Sequence, residues 1–268
     1  MGNSYLLTRI FEMIGQKAGL STEDQNLLNE TINNRITKKP FRVAIIGQSG
    51  VGKSSTLNAV FGLKNYVSDI AEGTTKVEEH IFPMDEGFNL AVYDMPGLNN
   101  DIVKDLEYEE LYKKILPTCD VIVYIINAHS KDIGEDCRIL KEVVIPICKN
   151  NNVLENLVLG VNKVDTIGET VDPNNPELCW DIVNNVPTEK LKECIKVKLG
   201  AISDKLITEN LVGENGIDVK RIVFYSAVFN YNLGSFLKAI LETPEGVIWV
   251  GTVGLDRIGK WSDLVLNK

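Results

Sequence analysis

Gly47-Gln48-Ser49-Gly50-Val51-Gly52-Lys53-Ser54 is the stretch on which the reading of this chain turns. It fits the pattern G-x-x-x-x-G-K-[ST], a glycine-rich loop whose backbone cradles phosphate groups. Phe41-Arg42-Val43-Ala44-Ile45-Ile46 precedes it as an apolar run of strand length, and Ser55-Thr56-Leu57-Asn58-Ala59-Val60-Phe61 follows as a helix start. Strand, loop and helix are the context that such a pattern requires. Gly47, Gly50 and Gly52 permit positive φ and close backbone approach. The amides from Gly50 through Val51, Gly52 and Lys53 to Ser54 can then turn inward as an anion nest at a helix N-terminus, with Ser49 among the loop's ligand-facing residues. Lys53 brings charge to the β- and γ-phosphates, the Ser54 hydroxyl can ligate Mg²⁺, and Ser55 adds its amide to the α-phosphate. The ligand class is therefore a nucleoside phosphate with Mg²⁺.

A second motif selects the base. Leu157-Val158-Leu159-Gly160-Val161 reads as a buried strand ending in Asn162-Lys163-Val164-Asp165. The Asp165 carboxylate can accept from the N1–H and N2–H₂ groups of guanine. Adenine has neither donor and would leave the carboxylate unpaired. Asn162 can bond the base and hold this loop to the phosphate loop, while the Lys163 stem can lie over the base plane. N-K-x-D alone is a weak pattern; its place at a strand end, after the phosphate loop, gives it weight. Between the two motifs lies Asp94-Met95-Pro96-Gly97, the D-x-P-G form of D-x-x-G. Asp94 is expected to hold Mg²⁺ through a water and the Gly97 amide to sense the γ-phosphate. Thr75 is the expected Mg²⁺ ligand of switch I, with Thr74 as the alternative, and Ser226-Ala227 offers a backbone amide for guanine O6.

Five motifs in this order resemble a translation-factor-class P-loop GTPase of the Era-like branch, over about residues 40 to 242. From Phe41 to Ile147 the chain also resembles the prophage-encoded YfjP/YeeP group of bacterial GTPases, through Val67-Ser68-Asp69-Ile70, Asp94-Met95-Pro96-Gly97 and Tyr108-Glu109-Glu110-Leu111-Tyr112. Immunity-associated, chloroplast-import and interferon-inducible GTPases are more distant likenesses. The resemblance implies an α/β fold: a Ras-like domain with a mostly parallel six-stranded sheet, one antiparallel strand and helices on both faces. It implies GTP and GDP as ligands, Mg²⁺ as cofactor, and a protein effector that the residues do not specify.

Composition bounds the rest. A net charge of −9 over 268 residues argues against broad nucleic-acid affinity. Five cysteines without C-x-x-C spacing, with only two histidines, argue against a zinc site and suit a reducing, cytoplasmic setting. No run reaches transmembrane length. Leu6, Leu7, Ile10, Phe11 and Ile14 recur at helical spacing, giving an N-terminal helical arm over 1–39, a GTPase domain over 40–242 and an extension over 243–268. Within the domain, Val77 to Phe82 is the expected antiparallel strand and Asp101 to Ile115 a helix. Glu135 to Lys149 should be a helix bent near Pro146, residues 166 to 186 a loop, Thr188 to Ile207 a helix, and Gly234 to Leu241 the closing helix.

The catalytic side is thinner. Lys53, Thr75 and Gly97 are the residues expected to act on the γ-phosphate. Where Ras-like GTPases place Gln after D-x-x-G, this chain has Leu98, which cannot orient water by hydrogen bonding. None of the six arginines lies between Arg42 and Arg138, so the switches hold no arginine finger. Glu72, Asn99, Asn100 and Asp101 remain as polar switch residues. Two readings follow: a slow GTPase assisted by a nucleotide-dependent homodimer through the GTPase domain, and a nucleotide-gated binding module with negligible hydrolysis. An ATP-using enzyme is disfavoured by Asp165.

Overall fold

The computed structural model describes Ser21 and residues 40–61, 76–83, 89–98, 102–170, 180–181, 183–213 and 216–247. The N-terminal arm apart from Ser21, the switch I threonines Thr74 and Thr75, Glu72, Asn99 to Asp101 and the chain after 247 lie outside the described residues.

The apolar runs form the strands of one sheet. β1 (Phe41–Gly47), β2 (Glu78–Pro83), β3 (Asn89–Asp94), β4 (Val121–Asn127), β5 (Leu157–Asn162) and β8 (Ile222–Phe224) lie in the order β2-β3-β1-β4-β5-β8. Only β2 is antiparallel, pairing Ile81 with Ala91 of β3; the other neighbours run parallel. Both faces of the sheet are covered, which is why β4 reads as a continuous apolar run rather than an alternating one. Val43, Ile45, Val123 and Ile125 point into one core with Leu57 and Val60 of α1 (Lys53–Phe61) and Phe236 and Ile240 of α6 (Leu233–Leu241). Ala44, Ile46, Tyr124 and Ile126 point the other way. They meet α2 (Ile102–Ile115), the α3 (Gly134–Ile139) and α4 (Ile145–Asn150) pair, and α5 (Glu189–Thr208).

The expected bend near Pro146 takes the form of one π turn, Leu140–Val144, between α3 and α4. Proline has no amide proton for the carbonyl four residues back, and its ring crowds that carbonyl, so the helix widens there. Thr188 caps α5, its side chain accepting from Leu191 N, and Leu191, Ile202 and Leu206 are the buried part of the stripe read from sequence. Within the stretch read as a loop over 166–186, the described residues hold two short elements. Val164–Thr170 is a 3₁₀ turn, and β6 (Trp180–Asp181) pairs with β7 (Val186–Pro187). Two-residue strands carry no periodicity to detect; this hairpin exists because Trp180 is buried, stacked on Phe229 at 4.3 Å and edge-on to Tyr231 at 5.4 Å.

Candidate functional site

The site gathers at the carboxyl ends of β1, β3 and β5, where parallel sheets leave a crevice. After β1 the chain turns through Gly47, Gly50 and Gly52, with φ of 140°, 75° and 95°. A Cβ on Gly52 would run into the side-chain amide of Asn162, so the glycine is what lets β5's terminal residue close on the loop. The turn delivers Lys53 and Ser54 at the N-terminus of α1. The Lys53 ammonium lies inside the loop, 3.0 Å from Gln48 O and 3.4 Å from Gly47 O. It is 7% exposed, and burial lowers its pKa to about 8, with the nearby Asp94 carboxylate partly opposing the shift. A buried ammonium on two carbonyls at a helix N-terminus is prepared for an anion.

β3 brings Asp94 alongside. Ser54 Oγ donates to Asp94 Oδ2 at 2.8 Å, so a hydroxyl and a carboxylate stand together beside Lys53. Two hard oxygen donors, one anionic, fit Mg²⁺, which binds few protein groups and completes its shell with water and phosphate oxygens. Met95 and Leu98 extend β3 along the phosphate loop, through Met95 N to Ile45 O at 3.2 Å and Ser49 N to Leu98 O at 3.1 Å. Gly97 is pressed between them: an added Cβ would sit 2.6 Å from Ser49 N and 2.7 Å from Lys53 Nζ. The Leu98 side chain, by contrast, is 2% exposed and packs in the core with Met95, Tyr108 and Tyr112. It is withdrawn from the crevice altogether.

β5 carries the base-selecting motif. Asn162 is buried and bonds in two directions, its Nδ2 donating to Val51 O at 3.1 Å and its Oδ1 accepting from Ala227 N at 3.0 Å. It therefore ties the phosphate loop, its own loop and the Ser226-Ala227 turn together. The Ala227 amide, which the sequence reading aims at guanine O6, is spent on Asn162 in this arrangement. Lys163 adopts φ of 66° and reaches across to donate to Gly50 O at 2.8 Å, so its stem spans the gap between the two loops. Asp165 Oδ1 is buried with no hydrogen-bond partner among the described residues. A carboxylate oxygen in that state fits a ligand that brings its own N–H groups, as guanine does.

Of the sequence-predicted residues, Ser49, Gly50, Val51, Gly52, Lys53, Ser54, Ser55, Asp94, Gly97, Asn162, Lys163, Asp165, Ser226 and Ala227 fall on these adjoining loops and the start of α1; Thr75 lies outside the described residues. Sequence reasoning missed two supports. Trp180 backs the Ser226-Ala227 turn through Phe229, whose amide donates to Ser226 Oγ at 3.1 Å. Tyr112 donates from below the D-x-P-G loop to Pro96 O at 2.9 Å. Tyr112 stood in a quoted motif but offered no spacing signal linking it to the site.

Comparison with known proteins agrees with this geometry. Residues 42–163 match a family described as 50S ribosome-binding GTPase. YfjP of Escherichia coli K12 is 33% identical over 112 residues, covering 41% of this chain and 39% of that protein. GTPase Der of Aliivibrio salmonicida is 25% identical over 248 residues, covering 89% of this chain and 42% of Der. The chain thus spans about two fifths of the length of these relatives. In fold it is similar to a variant of Aquifex aeolicus Era bound to GDP.AlF4⁻, with a TM-score of 0.54 and 23% identity over 76% of this chain and 57% of that one. The fold is that of Era-like P-loop GTPases, and residues 42–163 are similar to that family. The chain's particular resemblance is to YfjP.

Proposed function

We propose that this chain binds GTP with Mg²⁺ and hydrolyses it slowly to GDP and phosphate, serving as a nucleotide-dependent switch. The observation that carries this is the Asn162 side chain, which joins the phosphate loop at Val51 to the turn at Ala227 while Asp165 in the same loop keeps a buried carboxylate oxygen with no partner among the described residues. One site then reads phosphate and guanine together. In this reading the nest from Ser49 to Ser55 holds the α- and β-phosphates, and Lys53 neutralises charge on the β- and γ-phosphates. Ser54, Asp94 and Thr75 hold Mg²⁺, which screens phosphate charge when bound. The Gly97 amide meets the γ-phosphate, and Asn162, Lys163, Asp165, Ser226 and Ala227 enclose the base. In hydrolysis water attacks the γ-phosphorus and the bond to the β–γ bridging oxygen breaks, leaving GDP.

Slowness follows from Leu98, whose buried side chain leaves the water without a glutamine to orient it. Assistance in this reading comes from switch I, an effector protein or a second copy across the GTPase domain, with a K⁺ ion disfavoured by Gly50. Residues 40–242 form the GTPase domain in this reading, flanked by the arm and the C-terminal extension, in a cytoplasmic protein. The same buried Leu98 favours the second reading, a nucleotide-gated binding module with negligible turnover.

The experiment is phosphate release from GTP at rising protein concentration, with Lys53→Ala as the blank. Specific activity that climbs with concentration supports a dimerisation-assisted GTPase. Activity at the blank level throughout, with GTP still bound, supports the gated module. Tighter binding of ATP than GTP would overturn both.

A further inference from the structure

Tyr112 belongs to the run Tyr108-Glu109-Glu110-Leu111-Tyr112 on α2, which no nucleotide-binding role has absorbed. Its ring is fully buried beneath the D-x-P-G loop, among Met95, Leu98 and Tyr108. Its hydroxyl donates to Pro96 O at 2.9 Å. One side chain of α2 therefore holds the third residue of D-x-P-G from beneath. Burial holds this phenol well above its ordinary range, so its proton is present at every working pH.

The consequence is geometric. Pro96 C=O and Gly97 N–H belong to one peptide unit, and that unit is trans. In a trans peptide the carbonyl and the amide point in opposite directions. Anchoring the oxygen in the core turns the N–H away from the core, in a residue that itself lies close against Ser49 and Lys53. We propose that Tyr112 is a positioning residue that fixes the Pro96–Gly97 peptide with its amide toward the γ-phosphate, and so sets how well the protein tells GTP from GDP. Removing the hydroxyl leaves the carbonyl unanchored and lets the peptide rotate, weakening only the contact that GDP does not make. This inference rests on the GTP-binding reading above.

The test compares GDP with the β,γ-imido analogue of GTP, binding each to the full chain and to Tyr112→Phe. The expected result is about a tenfold loss of analogue affinity, the worth of one hydrogen bond to a charged group, with GDP affinity within about twofold of the parent. A purely structural role would weaken both ligands alike, and an unchanged ratio or an equal loss overturns the proposal. Placing 4-aminophenylalanine at 112, which keeps a donor, is expected to restore the ratio. Should Tyr112→Phe fail to fold, 3,5-difluorotyrosine at 112 is nearly isosteric and a stronger donor; it is expected to shift the ratio toward the analogue, and no shift overturns the proposal. If the parent chain binds neither nucleotide, the GTP reading fails and takes this inference with it. If it binds both and the ratio is indifferent to position 112, this inference fails alone.

Discussion

Asn162 Nδ2 lies 3.1 Å from Val51 O, a bond between residues 111 apart in sequence that fastens the base-selecting loop to the phosphate loop. The other end of the same amide accepts from Ala227 N. Asn162→Ala removes both and leaves a buried carbonyl and a buried N–H without partners, at about 1–3 kcal/mol for each group. The expected outcome is a melting temperature lower by several degrees, together with a loss of guanine nucleotide affinity too large for the stability change alone. Thermal melting and equilibrium nucleotide binding check it. A variant that melts lower but binds GDP normally would mean that Asn162 serves only the fold.

Asp165→Asn addresses the base directly. The substitution replaces a carboxylate with an amide that accepts at one atom and donates at the other. Guanine offers two donors there, so its affinity is expected to fall by about a hundredfold or more. Xanthine carries a carbonyl where guanine has its amine, and xanthosine nucleotides should gain in the variant. Competition binding with the guanosine and xanthosine diphosphates reads both changes, and a loss for guanine without a gain for xanthine would show that Asp165 does not face the base.

Lys53 makes nucleotide binding depend on pH with a definite sign. Its pKa in the fold is lowered to about 8 by burial, below the ordinary lysine value of 10.5. Between those values the unfolded chain holds the proton and the folded chain does not, so this group makes the free protein more stable as pH rises through that window. Phosphate favours the charged form and pulls the proton back. Above pH 8 binding must therefore take up a proton, and affinity is expected to fall by up to about tenfold per pH unit. Titration calorimetry at pH 8.5, in two buffers of different ionisation enthalpy, is expected to show proton uptake that Lys53→Met abolishes. Proton release on binding would contradict the assignment.

Most of the sheet was legible in the sequence because β1, β4 and β5 are buried on both faces and read as uninterrupted apolar runs. The glycines of the phosphate loop and Asn162 were legible because backbone geometry and a two-ended amide leave few substitutes. The hairpin at Trp180 was not legible: two residues per strand are too few to show a period, and what stabilises them is contact with Phe229 and Tyr231, remote in sequence. Tyr112 was quoted for likeness alone, since nothing in its local spacing reports that its hydroxyl lies under Pro96. Leu98 was legible as a missing glutamine, while its burial in the core was not.

That burial decides what Leu98→Gln will do. Restoring the glutamine found at this place in Ras-like GTPases should accelerate hydrolysis only if the side chain can reach the crevice. Here the side chain packs with Met95, Tyr108 and Tyr112, and its own backbone carbonyl is held, accepting from Ser49 N at 3.1 Å. A glutamine on this backbone enters an apolar core, where an unpaired amide costs about 1–3 kcal/mol beyond the packing lost. The expected outcome is a melting temperature lower by roughly 2–4 °C per kcal/mol, with phosphate release no faster than in the parent chain. Should the variant turn over GTP about tenfold faster at unchanged stability, residue 98 must swing out of the core when nucleotide binds, and the slow step would then be orientation of water rather than the want of a partner.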